Sequence, residues 1–179
     1  FQTYDGSSLG ERLRIGSEGN LALGGTNTSA YSTQAHFFIG GVGDIYADKG
    51  VSSGKSLSIS NNAYLNTSGN WVYRATDKAT NIYQYDGITG FRYASSGSAG
   101  NTISWSEKLR IANDGTITNT GSNSAPTSGS GWGFTQDQLY LSTNGTSANY
   151  ALRFYNDNGL VGSALVNGSS TAFNLSLIH

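Results

Sequence analysis

The chain of 179 residues is long enough for one domain or two small ones, only 12% of it is charged, and its net charge is −1. That balance offers no electrostatic footprint for nucleic acid or an anionic membrane, and the absence of cysteine excludes a disulfide framework and a thiolate metal site. Ser, Gly, Thr and Asn supply nearly half of the residues, yet aromatics at 12% and recurring Ile, Leu and Val argue for ordered structure over a disordered tract.

No stretch of helical length repeats apolar positions without Gly or Asn intervening, so little helix is expected. Turn-prone pairs punctuate the chain at Asp5-Gly6, Asp86-Gly87, Asp114-Gly115, Asn144-Gly145, Asn158-Gly159 and Asn167-Gly168, and reversed at Gly19-Asn20 and Gly69-Asn70. Strand-length segments lie between them, which predicts an all-β protein. No apolar run approaches the roughly 20 residues of a spanning helix, and the start of the chain lacks a signal-peptide pattern, so the sequence reads as a piece of something longer.

In chain order, Gly6-Ser7-Ser8-Leu9-Gly10 matches the G-x-S-x-G string of hydrolase nucleophile elbows. That chemistry needs a strand-turn-helix context and a histidine base, and in a chain this rich in Gly and Ser the string is expected by chance. Glu11-Arg12-Leu13-Arg14-Ile15-Gly16-Ser17-Glu18-Gly19-Asn20-Leu21 follows and is echoed by Glu107-Lys108-Leu109-Arg110-Ile111-Ala112-Asn113-Asp114-Gly115-Thr116-Ile117. Each copy predicts a tight β-hairpin or β-helical corner with its apolar residues on one face and its arginine, Arg14 or Arg110, on the other. A two-stranded unit with one apolar row cannot bury that row alone, so Leu13, Ile15, Leu109, Ile111 and Ile117 are expected in the core of a homotrimer whose chains complete one another.

Residues 30–106 carry most of the aromatics. Strands are expected at Ala35–Ile39, Asp44–Ala47 and Ser56–Ser60, then a meander through Trp71–Arg74, Asn81–Tyr85, Gly90–Tyr93 and Thr102–Trp105, enough for a small sandwich or jelly-roll-like module. His36, in an apolar run, is expected to be packed or on the trimer axis and not to bind metal. Asp44, Asp48, Asp77 and Asp86 could supply a glycosidase pair, but solvated turn caps are the better reading, so no catalytic residue is assigned. Sugar rings stack on aromatic faces while Asn, Gln and Asp bind their hydroxyls, which makes Trp71, Tyr73, Tyr83, Tyr85, Tyr93 and Trp105 the glycan-binding candidates; alternation requires about half of them to face inward.

Residues 118–131, with the only proline, read as a linker. Strands at Gly133–Gln136, Gln138–Leu141, Tyr150–Asn156, Val161–Val166 and Thr171–Asn174 form a last module, with Asn158-Gly159 as a hairpin turn. The strings Asn27-Thr28-Ser29 and Asn66-Thr67-Ser68 match the N-glycosylation pattern by chance of composition. The expected division is 1–29 as an N-terminal β neck, 30–106 as the central module, 107–131 as a second neck and linker, and 132–179 as the C-terminal module.

Three stretches carry a resemblance to phage tail fibres and tailspikes that end in an endosialidase-type intramolecular chaperone. They are the Glu-[Arg/Lys]-Leu-Arg-Ile-x-x-x-Gly pattern at 11 and 107; residues 59–74 with Ala99–Trp105; and Leu152–Ser163 with Asn167–Asn174. Where that family continues through a polar Ser-Asp-Tyr-Arg-Leu-Lys-like start, this chain runs Leu175-Ser176-Leu177-Ile178-His179, so the chaperone is expected to be missing here. The resemblance implies a non-enzymatic, intertwined homotrimer with β-helical or hairpin necks between modules, carried on a virion beside other tail proteins and attached to a host-surface glycan or other receptor, with no cofactor. A structural virion fibre, a polysaccharide depolymerase and a bacterial surface filament or adhesin are the competing readings.

Overall fold

The computed structural model describes residues 1–4, 6–25, 28–51, 54–119, 130–135, 137–142, 149–157, 159–167 and 170–175. Among them the protein is all-β, with no helix and hence none long and apolar enough to cross a membrane. A short hairpin, β1 (Gln2–Tyr4) with β2 (Leu9–Glu11), precedes an eleven-stranded sheet. The sheet contains β3 (Leu13–Ile15), β4 (Leu21–Leu23), β5 (Gln34–Ile39), β6 (Gly43–Asp48) and β7 (Ser56–Asn61). It leaves out β8 (Ala63–Leu65) and β9 (Trp71–Tyr73), which pair with each other. It resumes with β10 (Asp77–Tyr85), β11 (Ile88–Gly97), β12 (Ser106–Ile111), β13 (Ile117–Thr118), β14 (Gly131–Phe134) and β15 (Leu139–Ser142). A separate meander closes the described chain: β16 (Asn149–Asn156), β17 (Gly159–Asn167) and β18 (Ser170–Leu175).

In the long sheet every neighbouring pair is antiparallel except β4–β5, and every pair joins consecutive strands except β7–β10, which flank the β8–β9 ribbon. The order runs unbroken from β3 within residues 1–29 to β15 within residues 132–179. Two expectations need correction. Trp71–Arg74 is no rung of the central meander, because β9 pairs with β8 outside the sheet. Thr102–Trp105 is not a strand either: Thr102 makes one bridge to Val72, and β12 begins only at Ser106.

The hairpins follow from their loop residues. The two-residue turn between β10 and β11 holds Asp86 at φ 50° and Gly87 at φ 75°, the left-handed pair that a tight hairpin needs. The repeated pattern at 11 and 107 forms two equivalent hairpins, β3–β4 and β12–β13. In each, a type I turn ends in a left-handed glycine, Gly19 or Gly115. The Gly16 amide reaches Asn20 O at 2.8 Å and the Ala112 amide reaches Thr116 O at 2.8 Å. The ribbon β8–β9 is a third copy, with Asn66 N–H donating to Asn70 O at 2.9 Å and Gly69 at φ 78°. The Glu and second Arg of the repeated pattern pair bidentately, Arg14 with Glu11 and Arg110 with Glu107.

The registers separate the sheet into two faces. Ile15, Leu21, Phe37, Ile45, Ile59, Ile82, Phe91 and Leu109 stand directly opposite one another in a single row across eight strands. Ile111, Ile117, Phe134 and Leu139 form a second row on the same side. Among the described residues nothing covers this outer face: Ile15 is 71% exposed, Ile59 50% and Ile82 42%. The inner face carries His36, Asp44, Tyr46, Ser58, Ser60, Asn81, Tyr83 and Arg92, and the β8–β9 ribbon lies over it.

The ribbon is held by Asn62, a buried residue at φ 57° where the chain leaves β7. Its side chain accepts from Ala75 N–H at 2.7 Å and donates to Ala75 O and Lys78 O at 3.1 and 3.0 Å. Asparagine is among the few non-glycine residues that tolerate this backbone region. Beneath the ribbon, Ala63, Tyr73, Ala79, Ala94 and Ile103 form one small core with Trp71 and Trp105 against it, and Ala22, Ala30 and Phe38 form another with Tyr64.

Candidate functional site

The inner face alternates tall and short side chains. On β6, β10 and β11 stand Tyr46, Tyr83, Tyr85 and Arg92; between them β7 supplies only Ser56 and Ser58. Tyr46, Ser58 and Tyr83 are cross-strand neighbours, so the serine leaves a hollow between two rings. The result is a cavity of ≈ 320 Å³ lined by Tyr46, Ser56, Ser58, Tyr83, Tyr85 and Arg92.

Arg92 is the charged member of that lining. Its guanidinium carbon lies 3.8 Å from the Tyr83 ring centre, 5.7 Å from that of Trp105 and 5.9 Å from that of Trp71. Its Nε donates to Asn81 Oδ1 at 3.1 Å, and Asn81 in turn donates to Ser60 Oγ at 3.0 Å. The nearby carboxylate of Glu107 is engaged by Arg110 and by the Tyr83 hydroxyl. Burial pushes the Arg92 pKa below its ordinary value, against the opposing pull of Tyr83, Tyr46 and Glu107. The Ser58 hydroxyl, in a residue 1% exposed, has no hydrogen-bond partner.

A second hollow of ≈ 470 Å³ lies where β11 passes Asn101–Ser106, with Tyr73, Tyr93, Thr102, Ser104 and Lys108 in its walls. Lys108 sits over the Tyr93 ring at 5.9 Å. Deeper in the layer, His36 Nδ1 lies 2.9 Å from both carboxylate oxygens of Asp44, with both side chains fully buried. Burial raises the Asp44 pKa, while the His36 hydrogen bond and the Arg74 charge oppose the rise. Arg74 stacks between Phe38 and Tyr64 at 4.3 and 4.2 Å.

The glycan-binding candidates divide accordingly. Tyr73 and Tyr83 are buried, Tyr73 donating to Ser95 O at 2.6 Å and Tyr83 to Glu107. Trp71, on the ribbon, and Trp105 meet edge to face at 5.5 Å and are both half-buried. Tyr93 is half-buried at the second hollow, and Tyr85, 47% exposed, lines the first. The trimer-core candidates Leu13, Ile15, Leu109, Ile111 and Ile117 all fall on the outer face.

His36 is packed, as its apolar run suggested, between Phe38 and Tyr46 at 5.2 Å each. Asp86 sits in its turn and Asp77 is exposed beside Lys78. Asp44 is no solvated cap: the short β5–β6 connection places Phe38 opposite Asp44 and carries the carboxylate under the ribbon. Asp48 is half-buried and accepts from Ser56 N–H, Ser56 Oγ and Gln34 Nε2 at 2.7, 2.8 and 2.7 Å. Gly6–Gly10 connects two strands and leads into no helix. Asp5, Asn27, Asn144-Gly145, Asn158, Gly168, most of the 118–131 linker and the last four residues lie outside the described residues.

Arg92, Ser58 and Asn62 were not singled out by sequence reasoning. A signal was present: Gly90 and Ala94 flank Arg92 on its own face, and Ala79 accompanies Asn81 and Tyr83, so small residues marked that face as covered. Among the described residues no three His, Asp or Glu side chains gather as a metal site would require. No family model matches the chain, and no curated protein or solved structure matches it.

Proposed function

We propose that the chain is a segment of a homotrimeric, phage tail-fibre-type rod, carried on a virion, that attaches to a host-surface glycan. The observation that carries this reading is the uncovered apolar row on the outer face, from Ile15 to Leu109. A contiguous apolar face of this kind marks an interaction surface, and the chain's low charge does little to keep it dispersed. Three copies packing these faces about a common axis remove the rows from water together and supply each hairpin with the neighbour it lacks. In that assembly the hairpin ends of the sheet serve as necks, and the part thickened by β8–β9 serves as the projecting module.

Attachment rests on two hollows lined by aromatic and small polar side chains, of the size and chemistry that sugars fit. Three such sites on one rod raise modest affinities by avidity. Native mass measurement decides the first part: three 18.8-kDa chains per particle are expected, and a stable soluble single chain overturns it. A glycan array decides the second, since a trimer that binds no glycan is a structural fibre without a receptor role.

A further inference from the structure

We infer that the hollow between Tyr46 and Tyr83 is a binding site for a carboxylate-bearing sugar unit, read by Arg92 and Ser58. The inference rests on the glycan-attachment reading and names the sugar class. Three observations carry it. Arg92 lines the cavity with its guanidinium carbon 3.8 Å from the Tyr83 ring centre, and among the described residues it forms no salt bridge. Ser58 lines the same cavity as a hydroxyl shut away from bulk water with nothing to bond. Tyr85, half-exposed, gives the cavity an aromatic wall that solvent reaches.

A half-buried cation with no carboxylate paired to it is costly, and a buried hydroxyl without a partner adds to the cost. A ligand carboxylate relieves both. It accepts two N–H bonds from a guanidinium that Asn81 and Tyr83 already orient, while a ring hydroxyl of the same sugar pairs with Ser58. The cavity, ≈ 320 Å³, lies at the small end of ligand sites, roughly 300–1,000 Å³, which suits one pyranose unit better than an extended chain. Tyr85 is then placed to stack on the apolar side of the ring.

The test titrates the assembled full chain with methyl glycosides of glucuronic, galacturonic and mannuronic acid, each beside its neutral hexose counterpart, and with inorganic phosphate. At least one uronide should bind about tenfold or more tighter than its neutral twin, the size of one charge-assisted hydrogen-bond pair. Arg92→Lys should abolish that preference, and Ser58→Ala should weaken the uronide several-fold while native mass and near-ultraviolet circular dichroism stay unchanged. Equal binding of acidic and neutral partners, or a preference that survives Arg92→Lys, overturns the inference while leaving glycan attachment standing. Binding of phosphate as tight as that of the best uronide reduces the site to a general anion hole and overturns it too. Binding of no sugar at all, on this panel and on the array, removes both readings.

Discussion

On one side of the long sheet His36, Asp44, Ser58, Asn81 and Arg92 lie beneath a ribbon, while on the other Ile15, Ile59 and Ile82 stand against solvent. The chain has folded its polar face inward and left its greasy face out. An antiparallel sheet with one wet side usually shows the reverse. On the proposed reading the two faces answer to different partners: the inner one to a segment of the same chain, the outer one to neighbouring copies.

The comparison breaks most visibly if the outer face is made polar. Ile59→Lys with Ile82→Lys places two charges on directly paired strands. If the proposed trimer packs on this face, native mass should fall from three chains to one, while the opposed like charges cost the single chain about 1 kcal/mol. A double variant that still sediments as a trimer would remove the outer face from the interface.

On the inner side the largest effect belongs to Asn62→Ala. It removes three side-chain hydrogen bonds and leaves alanine in a left-handed backbone, at a cost of about 3 kcal/mol in chemical denaturation. Gly90→Ala comes next, because a methyl group there would meet the Tyr83 ring at 2.3 Å. A loss of about 2 kcal/mol is expected, with a change in tryptophan fluorescence as Arg92 loses its stack; an unchanged spectrum would mean that the ring is not where the structure has it.

The three equivalent hairpins sharpen the contrast further. Gly19→Ala and Gly115→Ala meet nothing within 4 Å and should each cost about 1 kcal/mol for the left-handed backbone alone, whereas Gly69→Ala also meets the Tyr31 ring at 3.1 Å. Thermal melts should rank Gly69→Ala lowest, and equal melting points would show that the ribbon is no more tightly seated than the outer hairpins.

The smallest expected effect is acid sensitivity of the inner layer. Burial raises the Glu107 pKa, but hydrogen bonds from Arg110 and Tyr83 outweigh it and the carboxyl ends below its ordinary value. Asp48 behaves likewise, with Ser56 and Gln34 as donors. A depressed folded-state pKa contributes stability in full above the unfolded value, and that stability is lost as the pH falls through the lower folded value. Melting points should therefore drop below about pH 4, near the ordinary carboxylate values, and drop less for Glu107→Gln. Identical acid limbs for parent and variant would exclude Glu107 as a contributor.

How far this was legible in the amino acids differs between the two faces. The hairpins at Gly19 and Gly115 could be read because a left-handed turn position demands glycine between apolar flanks. The turn at Gly69-Asn70 was legible too, but not its equivalence to the other two, because its strands lack the Glu-[Arg/Lys]-Leu-Arg lead, which serves an ion pair and not the turn. Alternation put Leu13 with Ile15, and Leu109 with Ile111, on shared strand faces. It could not say which face would be covered, since the ribbon that covers one side is a non-local partner. Asp44 was read as a solvated turn cap, and Arg92 not singled out, for the same reason: charged residues in strands read as solvent-facing until register and cover are known.

The β7–β10 pairing has a kinetic side. It is the one adjacency in the long sheet that sequence neighbours do not make, and the loop it must close contains the ribbon itself. The two halves of the sheet can therefore zip up from local hairpins, but joining them awaits closure of that loop. Seam and lid then form in one step governed by a single asparagine. A refolding phase slowed by changes at Asn62 and indifferent to Gly115 would be its signature, and until that step is complete the chain exposes both sides of its strands at once.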